Sequence, residues 1–154
     1  MVSELLSFAG EASAMILVLL FVVLIPAPLD SSSSENFYIG AEACAPCHQV
    51  EYENWSKTPH FAAFDTLVKK GEDDDATCYW CHSVGFGEKG GFLNPGLTPE
   101  FEGVQCESCH GRGGKHVRER QKYPAPSLKV CVNCHTSDIN PDFDPEKKWE
   151  KIRH

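Results

Sequence analysis

One pattern, Cys-x-x-Cys-His, occurs four times in this sequence and constrains its fold more than any other feature. The copies are Cys44-Ala45-Pro46-Cys47-His48, Cys78-Tyr79-Trp80-Cys81-His82, Cys106-Glu107-Ser108-Cys109-His110 and Cys131-Val132-Asn133-Cys134-His135. This is the attachment signature of c-type haem. Two thiols at this spacing can each add to one vinyl group of a porphyrin, and the following His is held where its imidazole can bind the iron. Zinc ribbons, redox dithiols and disulfides also use Cys-x-x-Cys pairs. None of them requires a His directly after each second Cys. At a background His frequency of roughly 2% per position, four such coincidences do not arise by chance. All 8 Cys belong to the four motifs, so none is left for a disulfide. The expectation is four covalently attached haems, held by Cys44, Cys47, Cys78, Cys81, Cys106, Cys109, Cys131 and Cys134. His48, His82, His110 and His135 are the proximal iron ligands.

Composition supports a fold that borrows its core. From Leu29 onward the chain has five Leu, three Ile, seven Val and seven Phe in 126 residues, about 17%. Chains below about 20%, with appreciable net charge, do not bury enough apolar surface to offset conformational entropy alone. The haems supply the missing apolar mass, so the apo-protein is expected to be unfolded or molten. The fold class expected is a mostly α, loop-rich multihaem cytochrome c whose haem stack forms the core. All 14 Lys and Arg follow residue 56, and from Leu29 onward they face 20 Asp and Glu. That acidic balance argues against nucleic acid as a partner and favours a basic or mixed-charge redox protein.

Along the chain, residues 1–28 form a hydrophobic leader, 29–40 a tether containing Ser31 to Ser34, and 41–154 the cytochrome domain. The uncharged stretch 12–29 is intensely apolar from Met15 to Ile25. It is either a cleaved signal peptide or a retained membrane anchor, and it lacks the basic flank that either would normally carry. Both readings export the cytochrome part to the periplasm or cell exterior, since c-type haem is attached outside the cytoplasm. Further on, the sequence predicts a helix from Ala41 to Trp55 and a second from Thr58-Pro59 to Lys70, stopped by Gly71. Residues 85–103, rich in Gly and Pro, carry little regular structure, and a short helix starts near Lys115. Another helix carries the fourth motif, and a last one opens at Asp144-Pro145. Glu72 to Asp75 reads as a solvated loop.

Iron ligands can be counted. Of 7 His, three remain after the motifs: His60, His116 and His154. The two Met, Met1 and Met15, lie in the leader, so Met ligation is excluded. At most three haems can then be bis-His, and one is five-coordinate or takes water or another ligand. Oligomerisation leaves this ratio unchanged. Each spare His also has a plainer reading: His60 as a core histidine on an apolar helix stripe, His116 as a surface cation, and His154 as a charge at a helix C-terminus.

The segment from Cys44 through Trp55-Ser56-Lys57-Thr58-Pro59-His60 resembles the opening of the cytochrome c-554 family, tetrahaem electron carriers linked to hydroxylamine oxidation. Gly85-Phe86-Gly87-Glu88-Lys89-Gly90-Gly91-Phe92, followed by Gly103 to Gly111, resembles it more closely. The likeness covers about residues 40 to 136. The resemblance implies bis-His ligation of the first, third and fourth haems and an open second haem. It implies His116 over the haem of His48, His60 over that of His110, and His154 over that of His135. The haem of His82 would stay open.

These features together predict an electron carrier working between redox partner proteins, with no catalytic residue. The rival readings are a small-ligand (nitrogen oxide) reductase at the open haem, a subunit of a multihaem filament or other homo-oligomer, and a subunit of a membrane redox complex.

Overall fold

Short helical turns joined by loops carry the chain, because 12 Gly, 10 Pro and the repeated motifs interrupt every longer run. The computed structural model describes residues 36–123 and 125–153, all within one compact unit. The leader, the tether up to residue 35, Pro124 and His154 lie outside the described residues. Six α-helices occur among those residues: α1 Gln49–Trp55, α2 Ala63–Lys70, α3 Tyr79–His82, α4 Cys106–His110, α5 Gly114–Glu119 and α6 Pro145–Trp149. Three 3-10 turns, Ala41–Ala43, Pro99–Phe101 and Leu128–Asn133, complete the regular structure. No strand is present among the described residues; one isolated antiparallel bridge joins Ser83 to Glu102.

The helix boundaries follow local chemistry and correct several expectations. The helix expected from Ala41 to Trp55 is broken, because Pro46 lacks an N–H and crowds the preceding turn. A 3-10 turn precedes the motif and α1 follows it. The second helix starts at Ala63 rather than Thr58. Thr58 does not cap it; its hydroxyl donates to the Trp55 carbonyl at 2.7 Å. The His60 carbonyl accepts from both Ala63 N (3.2 Å) and Val104 N (3.0 Å), which turns residues 59–62 against a distant segment. The stop is as expected: Gly71 is left-handed (φ 70°), and Glu72 N bonds to Leu67 O at 3.0 Å. The fourth motif lies on a 3-10 turn, where β-branched Val130 and Val132 disfavour an α-helix. Asp144 caps α6 by accepting from Glu146 N (3.1 Å) and Lys147 N (3.2 Å), with Pro145 at the first position. Residues 36–40, read as the end of a tether, are docked into the folded unit.

The protein supplies one apolar cluster of its own. Phe64 and Leu67 of α2 meet Tyr79 of α3, Val84, Phe92 and Phe101. Phe92 and Val84 are completely buried. The Phe92 ring lies 5.0 Å from that of Tyr79, edge to face, and 5.4 Å from that of Phe64. Such pairs contribute about 0.5–1.5 kcal/mol beyond burial. The 85–91 loop is closed beneath this cluster by Val84 N to Phe101 O (2.9 Å) and Phe92 N to Val84 O (2.8 Å). Its backbone folds on itself so tightly that a Cβ at Gly91 would sit 2.1 Å from the Gly85 carbonyl oxygen. Glycine is obligatory there. The cluster positions the second motif, because Tyr79 and the chain on either side of His82 are built into it.

Phe92→Ala should therefore lower the stability of the haem-loaded protein by about 3–5 kcal/mol. Chemical denaturation followed by near-ultraviolet circular dichroism measures this, and an unchanged midpoint would show that the cluster carries no stability.

Candidate functional site

Each motif is wound into a single helical turn. His48 N bonds to Cys44 O (3.0 Å), His82 N to Cys78 O (3.2 Å) and His135 N to Cys131 O (2.9 Å), and the third motif is α4 itself. One turn brings side chains at i, i+3 and i+4 to the same face, so two thiols and an imidazole share a side. All eight thiols are free. No group of three or more His, Cys, Asp or Glu side chains among the described residues converges as a metal cage, although a zinc site needs four ligands on one ion.

The imidazoles come together in pairs. The rings of His48 and His116 are 6.1 Å apart between centroids, and those of His60 and His135 are 6.2 Å apart. Two imidazoles, each about 2.0–2.1 Å from a shared metal, would have their rings about this far apart, so each pair could hold one iron between them. His116 directs Nδ1 to the Gln121 carbonyl (2.5 Å), and His82 directs Nδ1 to the Ala63 carbonyl (2.6 Å). A carbonyl only accepts, so Nδ1 carries the proton and Nε2 is free to ligate. Burial holds His60 and His135 below the ordinary imidazole range, and the nearby His135 lowers His60 further. Both are thereby kept in the neutral form that binds metal. The pairing of His60 with His135 differs from the partner the resemblance implied for it, His110.

The thiols show which motifs are neighbours. Cys44 of the first motif hydrogen-bonds Cys106 of the third; that bond and burial raise Cys44 while the same bond lowers Cys106. Cys109 of the third motif, raised chiefly by burial, also senses Cys131 of the fourth. Cys134 of the fourth motif is pushed up to about 12 by burial and by Cys81 of the second, to which it hydrogen-bonds. Two open clefts, of about 220 and 430 Å³, run beside these contacts. The first is lined by Cys44, His48, Cys106 and His110, with Trp149 and Ile152 from the C-terminal end of the chain. The second lies among Trp80, Cys81, Cys109 and Cys134.

Several residues that hold this arrangement together were not singled out from sequence. Gln105 caps α4 and is 6% exposed. Its amide donates to the Glu100 (2.8 Å) and Glu102 (2.9 Å) carbonyls and accepts from Ala41 N (2.6 Å). Tyr123 sits against the rings of His110 (6.1 Å) and His116 (5.3 Å), its hydroxyl donating to the Arg112 carbonyl. Arg112 lies over the Tyr38 ring (4.9 Å) and pairs with Glu88 at 2.7 Å. Gln105 was the legible one, since Ser108 three residues on completes a capping box. The others are brought in from distant parts of the chain.

Paired thiols followed by imidazole, with further imidazoles facing them at metal-ligand spacing, define a c-type cytochrome, a class that carries covalent haem and serves electron transport. The family described as "Cytochrome c554 and c-prime" matches residues 43–111. Cytochrome c-554 of Nitrosomonas europaea is 34% identical over 119 residues, covering 65% of this chain and 51% of the relative. No solved structure matches. The chain is thus similar to the cytochrome c-554 family over its first three motifs, and it spans about half the length of the curated relative it matches.

Gln105→Ala leaves the Ala41 N–H and two carbonyls without this partner at a buried position. The expected loss is about 2–3 kcal/mol of stability, with haem content unchanged. Denaturant titration beside a haem-to-protein assay tests both halves.

Proposed function

We propose that this protein is a tetrahaem electron carrier in which electrons cross between the first motif and the remaining two through the third. The observation that carries this reading is the placement of the thiols: Cys44, Cys106 and Cys109 line one cleft, and Cys109, Cys134 and Cys81 line the other, so the third motif stands between the first and the remaining two. Haem supplies reversible one-electron Fe(III)/Fe(II) chemistry. The Cys pairs would anchor each group at a fixed edge. His48 with His116, and His135 with His60, would ligate two irons from both sides. His110 and His82 are the proximal ligands of the remaining two. His154, which the resemblance assigned to the haem of His135, lies outside the described residues. His60 instead faces His135. By the resemblance, the haem of His82 would keep an open position.

Export to the periplasm or cell exterior belongs to the same proposal, with an electron donor and an acceptor protein as partners. Among the described residues no helix is long and apolar enough to cross a membrane; the apolar 12–29 stretch lies outside them. A second reading attaches to the open position at His82, where a small nitrogen oxide would bind and be reduced. It leaves the electron route unchanged.

The test is haem stoichiometry with electron paramagnetic resonance of the oxidised protein. Four haems per chain, three low-spin and one high-spin, are expected, and His116→Gly should convert a second haem to high spin. Fewer than four haems, or a His116→Gly spectrum identical to wild type, would sink the assignment.

A further inference from the structure

Glu107 stands between the two cysteines of the third motif, where a carboxylate is expected to face water. It is instead 4% exposed. Its two oxygens accept from three backbone N–H groups, two on a distant segment and one six residues further along the chain. Ile39 N reaches both oxygens (3.1 and 3.0 Å), Gly40 N reaches Oε2 (2.8 Å) and Gly113 N reaches Oε1 (2.6 Å). Arg112, close in sequence, turns to Glu88 instead.

The three donors are placed where they govern the first haem site. Gly40 lies four residues before Cys44 and eight before His48. Gly113 lies three residues before His116. One buried side chain therefore grips the approach to the proximal His48 and the approach to the facing His116, whose rings are 6.1 Å apart. It also belongs to the helix that carries Cys106, the thiol in contact with Cys44. The surroundings leave little slack: a Cβ at Gly113 would meet Ile39 Cδ1 at 2.8 Å and Glu107 Oε1 at 3.3 Å. Gly114 N adds a bond to Phe37 O (3.0 Å), tying the same two segments directly.

We propose that Glu107 is a positioning residue that sets the facing pair His48 and His116, and the abutment of first and third motifs, from inside the third. Its buried negative charge would also favour the ferric state of a haem held by that pair, since nearby net charge is one of the means by which protein sets haem potential. The inference rests on the haem reading given above, and the test separates the two.

Glu107→Gln is nearly isosteric, but its amide NH₂ must face backbone N–H groups that need an acceptor. In the full-length, haem-loaded protein, E107Q should keep the wild-type haem-to-protein ratio. It should convert part of the low-spin signal that His116→Gly abolishes to high spin, and raise that haem's midpoint potential. Glu107→Asp keeps the charge but shortens the reach, so it should lose low-spin signal with a smaller shift in potential. An E107Q protein with wild-type spin count and potentials overturns the inference. Absence of haem from the wild-type protein would instead defeat the haem reading. If E107Q does not mature, hydrogen exchange on the wild type decides. The amides of Ile39, Gly40 and Gly113 should exchange at least about 100-fold more slowly than those of Asp73 and Asp74. Exchange at loop rates overturns it.

Discussion

The arrangement of the first and third motifs depends on two buried side chains that accept backbone N–H groups from residues 39–41 and 113. Gln105 and Glu107 flank Cys106, and between them they take up the N–H groups of Ile39, Gly40, Ala41 and Gly113. These segments belong to no strand or long helix, so their polar backbone has no ladder to join. Buried backbone groups without partners are costly, and here two side chains serve in place of secondary structure. Residues 36–40 become part of the folded unit for this reason, and Phe37-Tyr38-Ile39 sets them apart from the Ser run before them.

Apolar material is divided between the protein and its cofactor. Around the second motif the chain builds its own cluster, with aromatic rings in edge-to-face contact. Around the other motifs the buried apolar side chains give way to clefts lined by thiols, imidazoles and isolated rings. A c-type cytochrome fills such space with porphyrin, and its covalent links hold the filling in place even where side-chain packing is sparse. The low aliphatic content of the chain therefore has a local pattern. Tyr79 of the second motif is packed into the protein's own cluster, while Trp80 and Cys81 line the second cleft.

Much of the site was readable because its chemistry is local. A Cys-x-x-Cys-His turn needs only consecutive residues to bring two thiols and an imidazole to one side. Gly71 and Asp144 were equally readable as a helix stop and a helix start, since each acts on its own neighbours. Thr58 was misread for the opposite reason. Its sequence suits a helix cap, but the His60 carbonyl and the Phe61 backbone are claimed by Gly103 and Val104, more than forty residues away. The helix expected at the fourth motif settled instead as a 3-10 turn, with β-branched Val on both sides of Cys131.

What the sequence determined by itself is the kind of chemistry: thiol pairs each followed by an imidazole, as covalent haem attachment needs, no methionine outside the leader, and too little aliphatic mass for a large core. Tertiary structure decided which imidazole faces which. His60 meets His135, His116 meets His48, and thiols of the third motif line one cleft with the first and another with the second and fourth. Motif spacing cannot encode such pairings, because a His contacts a partner through loops whose course is set by long-range hydrogen bonds to Gln105, Glu107 and the His60 carbonyl. Short-range geometry is written in consecutive residues, whereas facing geometry exists only once distant segments have closed.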